Sequence, residues 1–88
     1  KLQTSNLKLY PNPTTDHIRI DLSDFAGEAV TVSIYGEFGQ LVWKNRMPAV
    51  TELKRSVSLR EAGAAAGMYI VSVQSASGVV SKRVVLVE

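Results

Sequence analysis

Asp16 and His17 are neighbours, and an acid beside an imidazole is the combination that could orient a general base. Consecutive residues of a β-strand point to opposite faces, so the sequence predicts that these two side chains do not meet. The serines lack other partners for nucleophilic catalysis, because the chain has one histidine and no Gly-x-Ser-x-Gly turn. We therefore expect a protein that is not an enzyme and has no catalytic residues.

Metal and cofactor sites have equally little support. A chain with one histidine and no cysteine does not supply the nitrogen and sulfur ligands of a typical zinc site. The carboxylates of the first third of the chain do not follow the spacing of an EF-hand. These are Asp16, Asp21, Asp24 and Glu28. The glycines of residues 36–39 join two predicted strands, whereas a phosphate-binding loop leads into a helix, so we expect neither a metal nor a cofactor.

The composition is typical of a small globular domain. Of the 88 residues, 45% are hydrophobic and 20% are charged, and the net charge is +2. The basic pairs Lys54-Arg55 and Lys82-Arg83 each divide between two faces of a strand, so we expect no nucleic-acid partner. The longest apolar runs are far shorter than the roughly 20 residues of a transmembrane helix, so no segment is expected to cross a bilayer.

Alternation of apolar and polar residues is the strongest structural signal in the chain. In residues 17–22 and 29–35, aliphatic side chains occupy every second position, which predicts half-buried antiparallel strands. Two prolines without N–H groups end the first strand, and a glycine closes a later hairpin turn. These structural turns are assigned to Pro11, Asn12, Pro13 and Gly39.

The middle of the chain predicts further short strands. Leu41 and Trp43 are expected to share a face, with Trp43 as the largest core side chain, and a weaker strand follows in residues 53–59. Residues 60–66 contain a glycine and are short for a helix, so they predict a loop or a single turn. Six or seven strands without a long helical period predict an all-β sandwich of two antiparallel sheets.

Residues 67–88 consist of two β-branched runs around a Ser/Gly turn and predict a terminal hairpin. Gly78 is expected to supply the positive φ of its short loop. One face of the last strand contains Val80, Lys82, Val84 and Leu86, and the other contains Val79, Ser81, Arg83, Val85 and Val87. Such an ending predicts an edge strand or a closing strand, and an edge would allow a partner strand or a second copy to pair with it.

The domain boundaries follow from the same pattern. Residues 7–88 are expected to form a single domain, because a chain of this length has one small core. Residues 1–6 are polar and lack periodicity, which is typical of a linker or a frayed start. Since the chain does not begin with methionine, we interpret it as one domain of a longer protein, with any export signal upstream.

Four motifs in this order resemble the C-terminal sorting domains of the type IX (Por) secretion system of Bacteroidetes. Each motif is common alone, but their order near the end of the chain is specific, and together they cover most of the sequence. They are Leu9-Tyr10-Pro11-Asn12-Pro13 with residues 16–20, residues 32–42, Gly67-Met68-Tyr69-Ile70-Val71, and Lys82-Arg83-Val84-Val85-Leu86-Val87.

The resemblance implies an Ig-like sandwich of seven strands that follows a cargo protein. In that family, the domain passes through the periplasm and is recognised by the outer-membrane translocon. It is generally removed at the cell surface by a gingipain-like sortase, which joins the cargo to anionic lipopolysaccharide. The resemblance therefore implies a non-catalytic secretion signal that is exported to the cell surface, the outer membrane or the medium.

The terminal hairpin contains the residues to which we assign recognition by the translocon. Gly67 and Tyr69 are expected to form the turn and anchor of the penultimate strand, and Lys82 and Arg83 a charged contact. Residues 84–87 are expected to be read as a strand, namely Val84, Val85, Leu86 and Val87. Tyr69, Val84 and Leu86 fit equally well as core residues. The alternative function is an adhesion or carbohydrate-binding module of Ig-like or fibronectin-like fold.

Overall fold

The computed structural model describes residues 7–88, and the predicted linker of residues 1–6 lies outside this part of the chain. The described residues form seven β-strands and a short 3₁₀ turn at Ser23–Phe25. β6 and β7 are the longest strands, with nine residues each. The strands are β1 (Lys8–Tyr10), β2 (His17–Asp21), β3 (Val30–Gly36), β4 (Leu41–Met47), β5 (Lys54–Ser58), β6 (Gly67–Ser75) and β7 (Gly78–Leu86).

These strands form two antiparallel sheets that pack face to face. The smaller sheet has the order β1-β2-β5, and the larger has the order β4-β3-β6-β7. β3 and β6 lie in the middle of the larger sheet, while β4 and β7 are its edges. The prediction of an all-β antiparallel sandwich of about seven strands is therefore confirmed, and the last strand is an outer one.

The space between the sheets is filled by the aliphatic residues whose two-residue period predicts the strands. Ile18 and Ile20 of β2 are fully buried, and so are Val32 and Ile34 of β3. The same core contains Leu22, Val57, Leu59, Val71, Val73, Val80, Val84 and Leu86. Because burying each such side chain contributes about 1.5–3 kcal/mol, this core is the main source of stability.

A β-bulge changes the faces of β4. Ile34 pairs with Trp43, but the next residue of β3, Tyr35, pairs with Leu41, so Val42 is an extra residue in β4. The predicted shared face of Leu41 and Trp43 is therefore wrong. Trp43 points towards the core and is half-buried, whereas Leu41 lies on the outer face of the sheet and is exposed.

Arg55 explains the weaker pattern of β5. Val57 and Leu59 are buried as predicted, while Leu53 precedes the strand and is exposed. The guanidinium of Arg55 lies 5.5 Å from the centre of the Trp43 ring, a cation–π arrangement between the edge strands of the two sheets. A charged residue is thus accommodated here because its guanidinium lies over an aromatic ring while its side chain remains half-buried.

Residues 60–66 form turns, which confirms the expectation of a loop or a single turn. The N–H of Ala62 donates to the carbonyl of Ser58, and the N–H of Ala64 donates to the carbonyl of Leu59. Gly63 has a φ of 89°, a conformation that ends any continuation as a helix. This connector leads directly into β6 and so determines where the terminal hairpin begins.

Replacement of Leu86 tests the contribution of the last strand to the core. Leu86→Ala removes a side chain that is 1% exposed and leaves a cavity between the sheets. We expect the free energy of unfolding, measured by urea denaturation, to fall by about 2–5 kcal/mol. The control Val79→Ala changes an exposed residue of the same strand and should shift it by about 0.5 kcal/mol or less. Equal losses in the two variants would contradict this description of β7.

Candidate recognition site in the terminal hairpin

β6 and β7 form a continuous hairpin joined by a two-residue loop. Nine residue pairs connect the strands, from Gly67 opposite Leu86 to Ser75 opposite Gly78. Gly78 has a φ of 136°, which confirms the predicted positive φ at this turn. Gly67 is the first residue of β6 and lies directly opposite the end of β7. The two predicted motifs of the hairpin are therefore neighbours in space.

Tyr69 connects the hairpin to the connector that precedes it. Its ring is buried in the core, and its hydroxyl donates a hydrogen bond to the carbonyl of Ala65. This bond satisfies a phenol that would otherwise be buried without a partner. Tyr69 thus lies where an anchor of the penultimate strand is expected, and the same contact makes it a core residue.

Lys82 and Arg83 occupy consecutive positions on β7 and project to opposite faces of the sheet. Lys82 lies on the core-facing side between the buried residues Val80 and Val84, yet its own side chain is exposed. Arg83 lies on the outer face opposite Ile70, which is 39% exposed. Neither cation forms an ion pair within residues 7–88. Both charges are therefore accessible to another molecule.

The four residues after Arg83 divide between core and surface. Val84 and Leu86 are fully buried, whereas Val85 is half-buried and Val87 is 39% exposed. A partner that contacts the folded domain would meet Val85 and Val87, while Val84 and Leu86 hold the strand in place.

Asn12 covers the outer edge of β7 with its side chain. Its amide nitrogen donates to the carbonyl of Arg83 at 2.9 Å, and its amide oxygen accepts from the N–H of Val85 at 3.1 Å. These are the groups that a neighbouring strand would bind, so the side chain replaces one residue of a missing strand. The sequence predicts a turn at Pro11, Asn12 and Pro13 but contains no signal for this second role.

Thr14 and Arg60 continue the cover to the end of β7. The N–H of Thr14 donates to the carbonyl of Val85 at 2.9 Å, and the N–H of Val87 donates to the carbonyl of Thr14 at 2.8 Å. The Nη2 of Arg60 donates to the carbonyl of Val87 at 3.0 Å. We call Asn12, Thr14 and Arg60 the edge clamp. The outer strand is thus less open than predicted, because backbone groups of Arg83, Val85 and Val87 already have partners along this edge.

Asp16 positions the connector from which Arg60 extends. Its Oδ1 accepts from the Ser58 hydroxyl at 2.7 Å and from the Arg60 N–H at 3.2 Å. The hydrogen bond from Ser58 is the main cause that lowers the pKa of Asp16 below its ordinary value, against a smaller opposing effect of desolvation. The Nε of Arg60 also donates to the carbonyl of Thr15 at 2.7 Å.

The predicted separation of Asp16 and His17 is wrong. The Nδ1 of His17 lies 3.2 Å from the Oδ2 of Asp16. Asp16 precedes β2, so the alternation of strand side chains does not apply to it. The imidazole is 63% exposed, and Asp16 also accepts from the N–H of Arg60, a residue of the edge clamp. The contact acts on Asp16, whose pKa the neighbouring imidazole helps to lower.

The described residues contain neither a metal-binding cluster nor a membrane-spanning helix. Across residues 7–88, no three histidine or acidic side chains lie close enough together to hold a metal ion. In the same part of the chain, no helix has the length and apolarity needed to cross a membrane.

Comparisons with known proteins agree with this architecture. A family model described as a secretion system C-terminal sorting domain matches residues 8–87. A solved structure reported for PorZ, an essential bacterial surface component of the type-IX secretion system of Porphyromonas gingivalis, matches with a TM-score of 0.72 at 22% identity. The match covers 94% of this chain and 12% of that chain, and it confirms the Ig-like fold. No curated protein matches the sequence.

Replacement of Asn12 tests the edge clamp. Asn12→Ala removes both side-chain hydrogen bonds to β7, and we expect a loss of about 1 kcal/mol in the free energy of unfolding. The Val85 amide should then exchange with solvent faster in native-state hydrogen exchange. Asn12→Asp keeps an acceptor for that amide and should preserve most of its protection. Unchanged Val85 exchange in Asn12→Ala would contradict the clamp.

The acid–base behaviour of Asp16 gives a second test. Because its folded-state pKa is lowered, its charge stabilises the fold above the unfolded-state pKa, and this stabilisation is lost as pH falls through the folded-state pKa. Unfolding midpoints of the wild type and Asp16→Asn should therefore differ near pH 6 and converge towards about pH 2. Asp24→Asn, at an exposed position, is the control. A difference in unfolding midpoint that stays constant from pH 6 to about pH 2 would show that the charge of Asp16 does not contribute to stability.

Proposed function

Since the chain belongs to the family of secretion system C-terminal sorting domains, we propose that it directs an attached cargo through the outer-membrane translocon of the type IX system. A sorting signal of this system implies export to the cell surface or into the medium. The cargo would precede residues 7–88, which act as a single folding unit, with residues 1–6 as the linker. Passage through the periplasm and processing by a gingipain-like sortase belong to the same proposal.

Two accessible, unpaired cations on the last strand are the observation that most directly supports this role. Lys82 and Arg83 extend from opposite faces of an edge strand and both side chains are exposed, so a partner can reach both. Their structural cost is small, because neither is buried. We therefore assign the charged contact with the translocon to these residues.

The other residues of the hairpin contribute to recognition in different ways. Val85 and Val87 are accessible and supply apolar contacts, while Val84 and Leu86 maintain the strand through the core. Gly67 begins β6 opposite the end of β7. Tyr69 anchors that strand to Ala65. No chemical step is assigned to any of these residues, so the function is recognition alone.

Charge reversal at the hairpin tests the proposed function. In the full-length cargo protein in its native host, Lys82→Glu with Arg83→Glu should lower surface delivery about tenfold or more, since charge-assisted contacts contribute about 1.5–3 kcal/mol each. Delivery is measured by cell fractionation and by accessibility of the cargo to added protease. Lys44→Glu with Arg46→Glu makes the same charge change on β4, the opposite edge of the sheet, and should leave delivery intact.

Removal of residues 84–88, followed by the same delivery measurement, is a second test of the sorting role. The truncation should also abolish delivery, but it removes the buried residues Val84 and Leu86 and so destabilises the domain. The charge-reversal variant changes exposed side chains and separates recognition from folding. Full surface delivery of both variants would refute the sorting role, whereas an adhesion or carbohydrate-binding module would tolerate both changes.

A further inference from the structure

The outer edge of β7 has one covered half and one free half. The N–H and the carbonyl of Val85 both bind the edge clamp, so the backbone hydrogen-bonding groups of this residue point away from β6. The two-residue period of a strand then places the backbone groups of Val79, Ser81 and Arg83 on the same outer side. The Arg83 carbonyl is taken by Asn12. Within residues 7–88, the N–H groups of all three residues and the carbonyls of Val79 and Ser81 have no partner.

The side chains along this free half carry only positive charge. β7 contains Lys82 and Arg83 and no carboxylate over its nine residues. A strand added to this edge would lie about 4.8 Å away, and its side chains would alternate between the same two faces. Consecutive acidic residues on such a strand would therefore meet Lys82 on one face and Arg83 on the other.

These observations point to one kind of partner. We propose that residues 79–83 of β7 are the docking site for an extended, acidic segment of a partner protein, which adds a strand to the larger sheet. The inference rests on the sorting role proposed above and identifies how the hairpin is read. The edge clamp sets the length of the contact, because Asn12 occupies the edge from Arg83 onwards. About five residues, or roughly 17 Å of strand, remain available.

A second copy of the chain fits this edge poorly. If two β7 strands paired antiparallel around Ser81, their two Lys82 residues would be diagonal neighbours about 7–8 Å apart, with both side chains on one face. No carboxylate of either β7 would separate them. Lys82 also points to the core-facing side of an edge strand, an arrangement that discourages uncontrolled pairing of edges. The charge of the site thus favours an acidic partner over self-association.

Proline at position 81 tests strand addition separately from charge. Ser81 is exposed, and its N–H faces away from β6, so Ser81→Pro removes an edge donor without removing a ladder hydrogen bond. Ser81→Val keeps the N–H and suits a strand. In the native host, we expect Ser81→Pro to lower surface delivery about tenfold and Ser81→Val to leave it unchanged. Circular dichroism and thermal unfolding of both variants establish that the domain is folded.

The outcomes distinguish the two proposals. If charge reversal at Lys82 and Arg83 blocks delivery but folded Ser81→Pro is delivered normally, strand addition is overturned while the sorting role stands. If neither change affects delivery, strand addition and the charged contact are both overturned, and the sorting role falls as well if the variant without residues 84–88 is also delivered.

A peptide experiment keeps the inference testable if Ser81→Pro does not fold. The probe is a blocked hexapeptide with two consecutive glutamates between pairs of valines, added to the isotope-labelled wild-type chain. We expect NMR shifts at the amides of Val79, Ser81 and Arg83 but not at Val85, and we expect Asn12→Ala to extend them to Val85. The same hexapeptide with lysine in place of glutamate should produce no shifts at these amides. The proposal would be overturned if both peptides produced equal shifts or no shifts, or if the shifts fell on the outer face around Tyr35. Dimerisation of the chain in analytical sedimentation would overturn it as well.

Discussion

The hydrogen bonds between Asn12, Thr14 and the edge of β7 are the constraint on which the rest of the structure depends. Asn12 and its partners are 71 and 73 residues apart in the sequence, so these bonds close almost the entire chain into one loop. They join the turn after β1 in the smaller sheet to the last strand of the larger sheet. Because the entropy of loop closure opposes such distant contacts, the clamp is stable only when the core between the sheets is formed.

This constraint lets β7 contribute to stability while it also presents the two charges to which we assign recognition. Val84 and Leu86 fill the core, and the clamp fixes the backbone between and beyond them. Lys82 and Arg83 lie immediately before the clamped segment, so their charges have a defined position without being buried. The arrangement of the two charges beside the clamped segment therefore exists only in the folded domain, and the proposed recognition would depend on folding.

The two edges of the larger sheet are protected by different physical means. At β4, a bulge increases the local twist, and Arg55 of the neighbouring sheet stacks on Trp43 at the opening between the sheets. At β7, the Asn12 side chain takes the place of a neighbouring strand at Arg83 and Val85. Over the rest of the edge, the charge of Lys82 discourages pairing with another edge strand. The unprotected backbone is therefore short and lies beside the two free cations.

The sequence alone determined the strands, their inward faces and the Gly78 turn, because a period of two and the chemistry of turns are local properties. The motif order also identified the family. Only the tertiary structure decided that Leu41 faces outward, that Asp16 meets His17, and that Asn12 closes the edge of β7. The first depends on a β-bulge, the second on the residue at which β2 begins, and the third on residues distant in sequence becoming neighbours, and none of these is encoded in a two-residue period. The edge clamp on β7 is therefore a property of the fold, and it limits the backbone groups that the proposed partner could bind.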